Sequence, residues 1–199
     1  RSHEVVLQSS HGWERRFDAR AGMSGTEMAE AVIAAAAEVG LEGEYVRKDF
    51  EDDEAGAYDE AAVPPFWQAL TSAAAVFERH RADLDHRSVG PVQFWPHGFD
   101  LAFEWFGTRT AEYDGTMHPS QLNLGFYSTG RPYFYSNPFP FDGDDLMRID
   151  LSAGEWTTES FEGSRLWYDE VAGKPDGAAT VRRYAREVFD AAAPTLSTD

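Results

Sequence analysis

The stretch Phe99-Asp100-Leu101-Ala102-Phe103-Glu104-Trp105 sets Phe99, Leu101, Phe103 and Trp105 in alternation with Asp100, Ala102 and Glu104. Successive side chains of an extended chain point to opposite faces, so this period of two predicts a strand with one apolar and one polar face. Leu122-Asn123-Leu124-Gly125-Phe126-Tyr127 repeats the pattern, with Leu122, Leu124 and Phe126 opposite Asn123, Gly125 and Tyr127. Ser128-Thr129-Gly130-Arg131 reads as a hairpin turn into Tyr133-Phe134-Tyr135, and Asn137-Pro138 with Phe139-Pro140 closes that arm. The middle of the chain is therefore expected to be antiparallel sheet.

Toward the N-terminus, Val5-Val6-Leu7, the turn Ser9-Ser10-His11-Gly12 and Arg15-Arg16-Phe17 read as a hairpin. Ser24 with Glu27 three residues on is a capping box, and Met28, Val32, Ala35 and Val39 recur at helical spacing until Gly40. The acidic run from Asp49 to Gly56 reads as a solvated connector. A second helix, placed at 58–86, takes Pro64-Pro65 in its first turn and carries the stripe Phe66, Leu70, Ala73, Phe77 and Leu84. A last helix from about Pro175 to Ala191 turns Val181, Tyr184 and Val188 inward. Gly12, Asp18, Ala21 and Gly22 are matched at a constant offset by Gly163, Asp169, Ala172 and Gly173. That match suggests two repeated hairpin-plus-helix units, 1–45 and 120–195, within a single α+β domain of antiparallel sheet with helices on one face.

The composition bounds function by exclusion. The chain has 199 residues, 42% hydrophobic and 14% aromatic, enough core material for a folded unit. It has no cysteine, which removes disulfide scaffolds, thiolate metal sites and cysteine nucleophiles. No apolar run is long enough for a membrane helix. The 35 acidic residues against 17 Lys and Arg give a formal charge of -18, the wrong field for a phosphate backbone, so no nucleic-acid partner is expected. Only Lys48 and Lys174 are lysines. Dense carboxylates suit a cytoplasm at molar salt, where the Debye length is about 3 Å and self-repulsion is screened; a GC-rich genome would suppress lysine as well. The start Arg1-Ser2-His3-Glu4 has no methionine and no leader pattern, and reads as a chain entered mid-strand, N-terminally incomplete.

The densest unusual segment is Trp95-Pro96-His97-Gly98-Phe99-Asp100. A histidine between proline and glycine, three residues before an aspartate at a strand entrance, can share one cavity with it. Asp100 and Glu104 would face the same side of the strand. His97 as general base or metal ligand, Asp100 as its orienting partner and Glu104 as a second carboxylate would make a hydrolytic constellation, or half of a divalent-metal site. Equally, His97 and Asp100 could simply fix the turn. The polar face carrying Asn123, Tyr127, Tyr133 and Tyr135, with Trp95 nearby, offers hydrogen bonds and flat apolar area together, as small-molecule pockets do. His118, read as a loop residue, could join His97 at a metal; His80 and His86 near a helix end suit the helix dipole. Asp142-Gly143-Asp144-Asp145 reads as a turn. There is no GxSxG elbow, phosphate-binding GxxxxGK[ST], HExxH or GxGxxG.

Trp95-Pro96-His97-Gly98-Phe99-Asp100-Leu101-Ala102, Leu124-Gly125-Phe126-Tyr127-Ser128 and Pro132-Tyr133-Phe134-Tyr135-Ser136-Asn137-Pro138-Phe139-Pro140 resemble a prokaryotic family, domain of unknown function 5996. Tyr58-Asp59 and Phe66-Trp67-Gln68-Ala69-Leu70 resemble its helical segment, so the likeness covers most of the chain. The resemblance implies a longer N-terminus and two adjacent histidines before Phe-Asp. Gly98 stands at the second of these, which weakens a two-histidine metal model, so no metal site is assigned. It implies no particular activity, and the cofactor is left open. The expectation is a small-ligand binder with an aromatic pocket. A metal-dependent or His/Asp acid-base hydrolase and a protein-interaction module stay open as alternatives, as does the oligomeric state.

Overall fold

The central alternation becomes a long antiparallel ribbon in the computed structural model, which describes residues 2–85 and 87–198. Packing of the backbone divides the chain into two units, Arg1–Phe66 and Trp67–Asp199.

In the first unit, β1 (Glu4–Gln8) and β2 (Glu14–Asp18) form the expected hairpin, with Val5 opposite Phe17. A 3-10 turn at Ala19–Ala21 leads to α1 (Gly25–Ala37). Its start is the capping box read from the sequence: Glu27 N–H donates to Ser24 Oγ at 3.1 Å, and Ser24 N–H donates to Glu27 Oε2 at 3.0 Å. Gly40, at φ 79, takes the left-handed conformation just past the helix end. The acidic connector is mostly irregular, with a 3-10 turn at Arg47–Asp49, and Asp52 ties it to α1 through Thr26. Ser24 and Ala35 are the buried residues of this unit among those described.

Helix α2 (Val63–Ala82) crosses the boundary between the units and is shorter than the 58–86 read from the sequence. The strands that follow are β3 (Gln93–Trp95), β4 (Asp100–Tyr113), β5 (Thr116–Tyr127), β6 (Tyr133–Ser136) and β7 (Pro138–Phe139). A four-residue helix, α3 (Gly143–Leu146), precedes β8 (Glu155–Thr157), β9 (Gly163–Trp167) and α4 (Gly177–Ala192). All pairings are antiparallel in the order β3-β4-β5-β6-β9-β8, with β7 beside β5. The class is α+β.

Leu101, Phe103, Leu122, Leu124, Phe126, Phe134 and Leu166 form the buried sheet face. Phe77 of α2 meets Phe103 and Phe134 edge-on at 6.2 and 6.1 Å, and Phe189 of α4 meets Trp105 at 5.2 Å. Both helices therefore cover the same face. Phe77, Phe103 and Phe134, which are buried, each contribute about 1.5–3 kcal/mol from the apolar area removed from water. Two polar pairs under the helices are matched, Ser164 Oγ with Tyr184 Oη at 2.7 Å and Ser120 donating to the Leu196 carbonyl at 2.7 Å, whereas Trp156 Nε1 is buried without a partner among the described residues. Around that carbonyl, β4 shifts register between Phe106 and Thr110. Thr198 N–H donates to Thr108 Oγ1 at 2.8 Å, and Arg109 donates to the Thr195 carbonyl. A side chain at Gly107 would overlap the Leu196 carbonyl, so the segment after α4 lies directly on this part of β4.

Three sequence expectations change. Thr116–His118 is strand, because Asp114 (φ 50) and Gly115 (φ 73) form a two-residue hairpin turn whose left-handed backbone suits the strand twist. Asp142–Asp145 enters a helical turn, held by burial of Leu146. His80 is buried between Phe103 and Phe189 rather than acting as a cation for the helix dipole. Burial pushes its imidazole down to about 4, so it is neutral. His86 lies outside the described residues.

Candidate functional site

The sheet face opposite α2 and α4 carries the polar positions of the alternation. Register places Trp95, Asp100, Tyr127, Tyr133 and Trp167 in one row across five strands. The next row holds Gln93, Ala102, Gly125, Tyr135, Arg165 and Glu155, and in the row beyond Glu104 is opposite Asn123. Ala102 and Gly125 are the small residues of this surface. A side chain at Gly125 would overlap the Tyr135 ring, so glycine lets that ring lie across β5 toward β4. The Tyr135 hydroxyl then donates to Asp100 Oδ2, and Asp100 is buried although charged side chains seldom are.

Electrostatics follow from that burial. Desolvation pushes the Tyr135 hydroxyl far up, reinforced by the Asp100 carboxylate that accepts its proton, so the phenol stays a donor. Tyr133 is raised chiefly by burial as well. Glu104 is half-buried, and desolvation raises its carboxyl toward the neutral form, which can donate a proton.

The residues singled out from the sequence fall into three groups. Asp100, Tyr127, Tyr133 and Tyr135 form one cluster, closed by ring contacts of Tyr133 with Tyr127, Phe161 and Trp167 at 5.3, 6.0 and 5.6 Å. Trp95 and Glu104 line a hollow of about 160 Å³ with Gln93 and Phe106. Asn123 lines a larger cavity, about 380 Å³, with Tyr113, His118, Gln121, Asn137 and Phe139. His97 is exposed on the Pro96–Phe99 turn, with its ring edge-on to Trp95 at 6.0 Å. The hydrogen bond that Asp100 accepts comes from Tyr135, and none joins it to His97 among the described residues. His118 pairs with Ala111 at the far end of β4 from Asp100, about 35 Å along the ribbon from the His97 turn. One metal cannot reach both, and no group of three His, Asp or Glu among the described residues is placed to hold an ion.

The cavity around Asn123 has a defined hydrogen-bonding character. The Asn137 N–H donates to Asn123 Oδ1 at 2.6 Å, which fixes the orientation of that amide and leaves its NH₂ as a donor. Asn137 Nδ2 donates to the Glu162 carbonyl at 3.1 Å, which leaves Asn137 Oδ1 as an acceptor. Tyr113, His118 and Phe139 contact one another edge-on at 6.0–6.4 Å and supply flat apolar walls. Sequence reading missed His118 as a wall residue because the Asp114-Gly115 turn, its available signal, went unread. It also missed Arg131 and Arg165, whose guanidinium groups lie 4.0 and 4.2 Å from the Trp167 ring centroid.

Among known families, the model of a family of unknown function, DUF5996, matches residues 1–199. No curated protein and no solved structure matches the chain.

Proposed function

We propose that this chain, which belongs to the family of unknown function DUF5996, binds a small uncharged molecule in the cavity around Asn123. The observation that carries the reading is the pair of fixed amides, one with a free donor and one with a free acceptor, beside three aromatic rings in about 380 Å³. That volume is within the usual range for small-ligand sites. Flat faces with neutral donors and acceptors suit a molecule of monosaccharide or nucleobase size.

The test is thermal shift against panels of monosaccharides, nucleobases and nucleosides, with Asn123→Asp beside the native chain. Aspartate keeps the acceptor for the Asn137 N–H and removes the free donor. A ligand at a hundredfold excess over its Kd is expected to raise Tm by about 5 °C in the native chain and to lose that effect in the variant. A compound that shifts both equally, or panels that shift neither, would refute the assignment.

Acid-base hydrolysis is a second reading, supported by Glu104, whose half-buried carboxyl desolvation raises above its ordinary range, beside Asn123 across the strand pair. Turnover of a model ester that survives in Glu104→Gln would eliminate it. The acidic composition further supports a high-salt cytoplasm as the setting: 35 carboxylates against 17 cations repel one another in dilute buffer. Unfolding midpoints that do not rise from 0.1 to 2 M KCl would contradict that placement.

No helix among the described residues is long and apolar enough to cross a membrane.

A further inference from the structure

We infer that the groove between α2 and α4, on the other side of the sheet, is a binding site for a small molecule carrying two or more phosphate groups. It is a cavity of about 760 Å³, and four of the chain's fifteen arginines, Arg79, Arg182, Arg183 and Arg186, line it. In a protein of net charge -18, such convergence runs against the charge of the whole.

These charges are only partly answered from within. Arg182 pairs with Asp83 at 2.8 Å, and Asp83 is the one carboxylate lining the groove among the described residues. Arg186 pairs with Asp190 one turn along its own helix at 3.0 Å. Arg183 reaches only neutral hydroxyls, Ser152 Oγ at 2.9 Å and Thr180 Oγ1 at 3.4 Å. Arg79 enters no ion pair among the described residues. Two guanidinium charges, those of Arg79 and Arg183, thus have no carboxylate partner among the described residues and retain N–H groups for an oxyanion.

His80 supplies an independent sign of a ligand. Its side chain lines the groove yet is only 3% exposed, and its ring touches Phe103 and Phe189. Neither ring nitrogen forms a hydrogen bond among the described residues, and neither is one of the fully buried unpaired atoms, which are Trp156 Nε1 and Arg165 Nε. A neutral imidazole has one N–H to give to an oxyanion. Ala178 and Ala179, in the first turn of α4, line the same groove, and Asp176 makes no side-chain cap there. Gly177 N–H donates to the Lys174 carbonyl and Thr180 N–H to the Asp176 carbonyl, which leaves the Ala178 and Ala179 N–H groups to favour negative charge.

Several cations around one cavity select a multivalent anion over a single carboxylate. The field of the whole protein selects a compact ligand over a nucleic acid, whose length would extend into the surrounding negative potential. Phosphate groups in series meet both conditions.

The test is calorimetric titration of the full chain with inorganic tripolyphosphate in 0.15 M KCl. The native chain, Arg79→Gln/Arg183→Gln and the control Arg148→Gln, which removes an exposed arginine outside the groove, are compared. One saturable site is expected, weakened about tenfold or more in the double variant and unchanged in the control, since charge-assisted hydrogen bonds contribute on that order. Side-chain NMR of His80 in the native chain is expected to shift on titration, a readout that does not depend on the double variant folding. ATP binding more tightly than tripolyphosphate at the same site would support a nucleotide as the source of the phosphates. The inference fails if 1 mM tripolyphosphate gives neither saturable heat nor a His80 shift. It also fails if Arg148→Gln weakens binding as much as the double variant, or if a poly-glutamate peptide binds more tightly, which would make the occupant an acidic protein segment.

Discussion

The chain passes twice through one order of elements. Glu4–Ala37 runs hairpin, 3-10 turn, left-handed Gly22 (φ 70) and α1; Glu155–Ala192 runs hairpin, 3-10 turn, left-handed Gly173 (φ 72) and α4. The first pass buries Ser24 and Ala35 among its described residues, and its strands are linked across the hairpin by the surface ion pair of Arg16 with Glu4. The second buries Trp156, Leu166, Val171, Val181, Tyr184, Ala185, Val188 and Ala192. Exposed ion pairs contribute about 0–1 kcal/mol each and are screened by salt, whereas each buried aromatic or aliphatic group contributes more and is not. The same local order can therefore be held mainly from its own surface or from a core, and sequence distinguishes the two through how many apolar residues face one side.

Tyr184→Ala and Phe17→Ala are expected to separate the two passes most widely. Tyr184 is fully buried and bonded to Ser164, so its loss is expected to cost about 3–5 kcal/mol in urea unfolding. Half-buried Phe17 should cost about 1 kcal/mol; equal losses would erase the distinction. Acid is the next lever. His80 has a folded pKa of about 4 against an ordinary value of 6.5. The unfolded chain therefore binds the proton first, and stability declines as pH falls from about 6.5 to about 4. The loss attributable to this group is about 3 kcal/mol at the acid end. His80→Leu should flatten the profile in that window, and an unchanged slope would contradict it. The two helix starts are expected to differ by the smallest amount. Ser24→Ala removes both bonds of a capping box and should cost about 1 kcal/mol. Asp176→Ala removes no side-chain cap and should stay within about 0.5 kcal/mol by the same measurement.

Legibility followed the range of the interactions. The capping box, the β4 and β5 alternation and the inward face of α4 were readable because their determinants lie within a few residues. β8 and β9 were not singled out, although Ser164 and Leu166 alternate with Arg165 and Trp167. Strands of three and five residues give too little period to stand out. The constant-offset match illustrates the same limit. Gly22 and Gly173 share a left-handed turn, but Gly12 (φ 81) faces open space while a side chain at Gly163 would overlap the Ser136 carbonyl. Identical letters serve different contacts. At the site, the shared face of Asp100 and Glu104 was legible, but the bond of Asp100 to Tyr135 depends on Gly125 in a third strand. The arginine groove is farther still from local reading: Arg79 and Arg183 meet only because α2 and α4 lie on the same sheet face.

The Ser120–Leu196 hydrogen bond joins residues 76 positions apart, and α4 lies between them. During synthesis, β4 and β5 leave the ribosome well before the helix and strap that complete their cover. Leu122, Leu124 and Phe126 therefore gain part of their cover from elements made later in the chain, and until those arrive their apolar face is the kind of surface that makes partly folded chains prone to associate.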